Sequence, residues 1–99
     1  SSSSTSILGL DVREITRSLR KKYGIEDEDG KLVIVSVDSN SEAADKGLRE
    51  GDIIKRVGTQ QVLSIKEFKK KVNASKSKGS LLLLIKKIDG SSLFITLNY

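Results

Sequence analysis

The feature that most constrains this chain is the stretch Gly47-Leu48-Arg49-Glu50-Gly51-Asp52-Ile53-Ile54, which has to end one helix, turn, and start a buried strand within eight residues. Ser41-Glu42-Ala43-Ala44-Asp45-Lys46 before it reads as a short helix. Ser41 is its N-cap and Glu42 sits in the first turn, where the helix dipole favours a carboxylate. Gly47 supplies the left-handed position that closes such a helix, and Leu48 can fold back as the apolar contact of that closure. Gly51-Asp52 makes the next turn, and Ile53, Ile54 and Val57 form the β-branched run of a strand.

Composition restricts the chemistry. With 99 residues the chain is one domain with room for a modest core. It has neither cysteine nor histidine, which removes disulfides, thiolate zinc sites, imidazole ligation and both Ser-His-Asp and Cys-His catalysis. Only carboxylates and lysine remain for chemistry, so this chain is expected to be no enzyme by itself and to hold no metal or other cofactor. No apolar run approaches the roughly 18 residues of a membrane span, and nothing reads as a signal peptide, so direct membrane insertion is not expected. Residues 1–6 read as a linker or appended tract, because a serine run without apolar partners cannot offset its ordering entropy; the domain is expected over 7–99.

In chain order, Ser6-Ile7-Leu8-Gly9-Leu10-Asp11-Val12 places Leu8, Leu10 and Val12 on one face of a strand, with Gly9 where the backbone approaches something closely. Ile15, Leu19 and Tyr23 share one face of a short helix that starts at Thr16 as N-cap and stops at Gly24. Glu26-Asp27-Glu28-Asp29-Gly30 lacks the spaced ligands of an EF-hand and reads as a solvated turn. Lys31 to Asp38 is the strongest strand, with enough β-branched residues to be buried on much of both faces. Ser64 and Glu67 form a capping box for a helix whose Ile65, Phe68 and Val72 lie on one stripe. Ile88-Asp89-Gly90 between two apolar runs marks a C-terminal hairpin.

The Ser41 to Ile54 stretch, together with Leu8-Gly9-Leu10, resembles the PDZ family, in particular its bacterial signature SPAA-x-x-GL-x-x-GD-x-I. Glu42 stands where that signature has proline, and Gly58-Thr59-Gln60-Gln61 stands where the family often has asparagine-glycine. The resemblance runs from Ile7 to about Leu97. It implies a mainly β, α+β fold: a partly open β-barrel or sandwich of five to six strands capped by two or three helices, in the bacterial permuted strand order. The helix over 15–25 and the final hairpin resemble the last PDZ domain of the bacterial Do/HtrA-type periplasmic serine proteases.

That resemblance implies a peptide site. Ile7, Leu8, Gly9 and Leu10 would be its carboxylate loop, with backbone N–H groups converging on a peptide's free C-terminus; from the residues alone, an ordinary first strand containing a glycine is the other reading. The ligand would add antiparallel to Leu10-Asp11-Val12, in a groove completed by the helix from Ile65. Ile65 would face the residue two back from the terminus, Val72 would help floor the terminal pocket with Leu8, Leu10 and Val12, and Lys69 would sit on the rim. Ile65 cannot accept a hydroxyl proton, so an apolar ligand residue is expected at that place and at the terminus.

The implied partners are C-termini or extended hydrophobic segments of unfolded proteins, and the protease domain and other subunits of a longer periplasmic or cell-envelope parent. Two further readings share the fold: a secretion or membrane scaffold without a protease, and a domain whose main role is contact between subunits. From a different class, the net charge of +5 and the run Lys66, Lys69, Lys70, Lys71, Lys76 and Lys78 invite a nucleic-acid binder. Only four aromatic residues occur and none is interleaved with these lysines, so a solvated helix face is the preferred reading and no nucleic-acid partner is expected.

Overall fold

The computed structural model describes residues 4–25 and 30–98; the acidic residues Glu26 to Asp29 lie outside them. The chain runs β1 (Ser4–Ile7), β2 (Leu10–Glu14), α1 (Arg17–Tyr23), β3 (Leu32–Val37), α2 (Glu42–Asp45), β4 (Ile53–Val57), β5 (Gln60–Gln61), α3 (Ile65–Lys76), β6 (Ser80–Lys86) and β7 (Ser92–Asn98). All strand pairs are antiparallel. The order across the sheet is β1-β2-β3-β4-β6-β7 with β5 paired to β4, so the sheet is open at β1 and at β7.

Seven strands among the described residues exceed the expected five to six. Part of the excess is β1, which takes up Ser4 to Ile7, where a linker was expected as far as residue 6. Pairing explains this: a polar tract too poor in apolar side chains to order itself is held by the ladder it forms with β2. The other surplus strand is the two-residue β5, beside which Val62 turns inward and is 1% exposed.

The core lies on one face of the sheet, under α3. Phe68 is fully buried there with Leu10, Val12, Leu32, Ile34, Ile54, Leu81, Leu83, Ile85 and Leu97. The opposite face carries a smaller cluster in which Val33, Ile53 and Ile25 pack with Ile15, Leu19 and Tyr23, so α1 covers it. Strand β3 thus serves both layers, with Leu32 and Ile34 in the main core and Val33 in the second. That accounts for its unbroken apolar sequence.

The caps explain where the helices begin. Thr16 Oγ1 accepts from the Leu19 N–H at 3.2 Å, Ser41 Oγ from Ala44 at 3.4 Å and Ser64 Oγ from Glu67 at 3.3 Å. The Glu67 carboxylate reaches one residue further than a capping box requires and accepts from the Leu63 N–H at 3.0 Å. Helix α2 ends in a Schellman motif: the Gly47 N–H meets the Ala44 carbonyl and the Leu48 N–H meets that of Ala43, both at 3.1 Å. Gly47 has φ +94°, and Leu48 is buried behind it.

Candidate peptide groove

The turn Leu8-Gly9, strand β2 and helix α3 lie next to one another. Leu10 and Val12 point into the main core and are fully buried, while Asp11 points to solvent. Helix α3 packs beside β2 and β1, with Ile65 and Val72 each 2% exposed. Lys69 is exposed. Ile7 and Leu8 are half-buried and rest against the same cluster that holds Ile65, Phe68 and Val72. The nine sequence-derived site residues therefore occupy one region, at the β1–β2 end of the sheet.

Two of them have a local geometry that the sequence did not reveal. Leu8 adopts φ +45° and Gly9 φ +83°, so they form the two-residue loop of a hairpin closed by the pair Ile7 and Leu10. Gly9 is also pressed against the segment that leads into α2: a Cβ there would lie 2.4 Å from Ser41 Cβ and 3.2 Å from Asp38 Cβ. The Gly9 carbonyl accepts from the Asp38 N–H at 2.8 Å, and Ser41 Oγ donates to the Asp38 carbonyl at 2.6 Å. The N-cap of α2 thus doubles as the seat of the Leu8-Gly9 turn.

The turns at Gly47 and Gly51 are joined by charge. Asp52 is 4% exposed, and its Oδ2 accepts from the Arg49 N–H at 2.9 Å and from Lys87 Nζ at 2.7 Å. Lys87 also donates to the Gly47 carbonyl at 2.7 Å. On the far face, the Tyr23 hydroxyl donates to Glu50 Oε2 at 2.5 Å, with Lys22 Nζ 3.6 Å from the same oxygen. Burial, and then the bond to Glu50, pushes the Tyr23 phenol up to about 12, while the bond from Tyr23 holds the Glu50 carboxyl below its ordinary value. Lys87 and Tyr23 carried no recognisable sequence signal for these roles, since each meets its partner across more than 25 residues of chain.

The α3 lysines Lys66, Lys69, Lys70 and Lys76 are exposed, and Lys71 is half-buried and donates to the Gln60 side chain. Among the described residues no helix is long and apolar enough to cross a membrane.

Comparison with known proteins places this geometry in a family. The model of the PDZ domain matches residues 6–93. Probable periplasmic serine endoproteases, DegP-like, are similar: that of Chlamydia pneumoniae is 32% identical over 77 residues, covering 78% of this chain and 16% of the relative. That of Brucella suis is 39% identical over 62 residues, covering 62% of this chain and 12% of the relative. That of Rhizobium meliloti is 45% identical over 53 residues, covering 52% and 10%. The chain thus spans a small part of the length of these relatives. The crystal structure of the HtrA3 PDZ domain bound to a phage-derived ligand (FGRWV) has the same fold, with a TM-score of 0.71 at 24% identity over 99% of this chain and 88% of that one. With the family's model matching all but the two ends, this chain belongs to the PDZ domain family.

Proposed function

We propose that this domain binds C-terminal or extended hydrophobic segments of other proteins by strand addition to β2. It does so as a substrate-binding, regulatory or assembly domain of a DegP-like periplasmic serine endoprotease whose catalytic part lies outside this chain. The observation that carries the reading is the side-by-side placement of β2 and α3, with Leu8-Gly9 at the head of the groove. An incoming peptide runs antiparallel to Leu10-Asp11-Val12, its carboxylate meets the N–H groups of Leu8, Gly9 and Leu10, and its aliphatic terminal side chain rests on Leu8 and Val72. Ile65 faces the residue two positions earlier. The chain itself, with neither histidine nor cysteine, contributes binding and positioning.

The test is an NMR titration with one apolar-ended peptide in two forms, free acid and C-terminal amide. The free acid is expected to bind at least tenfold more tightly, a difference of about 1.4 kcal/mol, and to shift the amides of Leu8 to Val12 and Ile65 to Val72. Equal affinity of the amide, or shifts confined to other surfaces, would count against a carboxylate groove.

A further inference from the structure

The edge of β2 that such a ligand needs is already paired. Strand β1 lies along it, antiparallel, with Thr5 opposite Val12, Ser6 opposite Asp11 and Ile7 opposite Leu10. Thr5 and Ile7 are half-buried on the side of Leu10 and Val12, while Ser6 and Asp11 face solvent together. The strand also touches α3, and Ile7 packs on the cluster that holds Ile65 and Val72.

We infer that Ser4–Ile7 is a built-in occupant of the peptide groove, which an outside peptide has to displace; the inference rests on the peptide-binding reading above. Its direction, edge and position are those proposed for the ligand. Ile7 stands in the place of the terminal residue and Thr5 in that of the residue two before it. The alternation in the groove is thus half-buried Thr5, exposed Ser6, half-buried Ile7, which selects for competing peptides an aliphatic end preceded at the second position by a β-branched residue.

Two features make the occupant displaceable. It grips weakly, since only one of its four side chains is apolar, yet the two-residue tether keeps its effective concentration in the millimolar range or above. The hinge is also strained: Leu8, at φ +45°, is the one non-glycine residue with positive φ among the described residues, and opening the hairpin releases it. In a two-residue hairpin the Leu10 N–H is turned to the Ile7 carbonyl. Opening the hairpin therefore also frees a donor for the incoming carboxylate.

The experiment compares three forms of the chain with one probe, the free-acid peptide Ser-Ser-Ser-Thr-Ser-Ile. The forms are the full chain, a chain beginning at Ile7, and a Ser6→Cys/Asp11→Cys variant. In an otherwise cysteine-free chain this variant can form a single cross-strand disulfide. Ser6 and Asp11 suit it because the pair beyond the closing pair of a two-residue hairpin is not hydrogen-bonded, so its side chains stand close. The disulfide is expected to form, seen as an absence of mass gain on alkylation until the variant is reduced, and the oxidised variant is expected to lose the binding that the same variant shows once reduced. The shortened chain is expected to bind about tenfold more tightly than the full chain.

Failure of the disulfide to form, or equal binding by all three forms, would overturn the inference while leaving peptide binding intact. Absence of binding in every form, reduced and shortened included, would overturn the peptide reading and the inference with it. If the shortened chain loses its amide dispersion, the oxidised and reduced forms of the disulfide variant decide the question between them.

Discussion

Lys87 Nζ lies 2.7 Å from Asp52 Oδ2, joining the end of the β6–β7 hairpin to the turn that launches β4. The Asp52 side chain is 5% exposed and that of Lys87 is 23% exposed, so the pair is shielded on the acid side and partly wet on the base side. Lys87→Met leaves the carboxylate buried with the Arg49 N–H as its described donor, and is expected to cost about 2 kcal/mol. Urea unfolding of Lys87→Met, Asp52→Asn and the double variant should show a coupling of about 1 kcal/mol. Additive single effects would mean that the pair contributes nothing as a pair.

Gly9 and Gly47 offer a controlled contrast. Both have positive φ, but a Cβ on Gly47 meets nothing within 4 Å, whereas one on Gly9 would lie 2.4 Å from Ser41 Cβ. Gly47→Ala should therefore cost about 1 kcal/mol from conformation alone. Gly9→Ala should cost about 3 kcal/mol, because the α2 N-cap has to move as well. Equal losses in thermal unfolding would show that the turn does not press on Ser41.

Tyr23 gives a signature at high pH. Its phenol is raised from 10.0 to about 12, so the stabilisation from the neutral form is complete below pH 10 and is lost as the pH climbs from 10 to 12. Absorbance at alkaline pH should resolve one of the two tyrosines titrating near 12, and Tyr23→Phe should remove that late phase. Glu50 behaves in the opposite sense. Its lowered value adds stability above the ordinary carboxylate range, and this is lost as the pH falls through the folded-state value. The same Tyr23→Phe change should raise the Glu50 pKa, measurable by carboxylate NMR.

At the head of α3, Ser64→Ala removes the acceptor for the Glu67 N–H and should cost about 1 kcal/mol. Since Ile65 immediately follows, hydrogen exchange in the first turn of α3 should speed up in this variant while that of β6 and β7 stays slow. Uniform acceleration would mean that the cap acts through global stability only.

Much of this was legible in the sequence because the signals were local. Ser41, Thr16 and Ser64 were readable as caps, Gly47 as a stop, and the apolar stripe of Ile65, Phe68 and Val72 as a buried helix face, each from residues within one or two turns. What escaped was non-local. Residues 1–6 look like a linker because five serines and a threonine carry no burial signal, and only the ladder with β2 makes Ser4 to Ile7 a strand. Likewise, nothing around Gly9 announces that Asp38 and Ser41 will stand against it, and nothing around Lys87 announces Asp52.

The dry floor under β1 has a calorimetric consequence. Leu10 and Val12 are fully buried, and Ile65 and Val72 nearly so, with the chain's own strand in place. A peptide that takes that strand's position exchanges one ladder for another and removes little new apolar surface from water. Its binding should therefore show a heat-capacity change close to zero, unlike association that covers a bare hydrophobic cleft. The chain beginning at Ile7 should recover the large negative value. Temperature-dependent titration of the two forms thus reads out how wet each groove is before the ligand arrives.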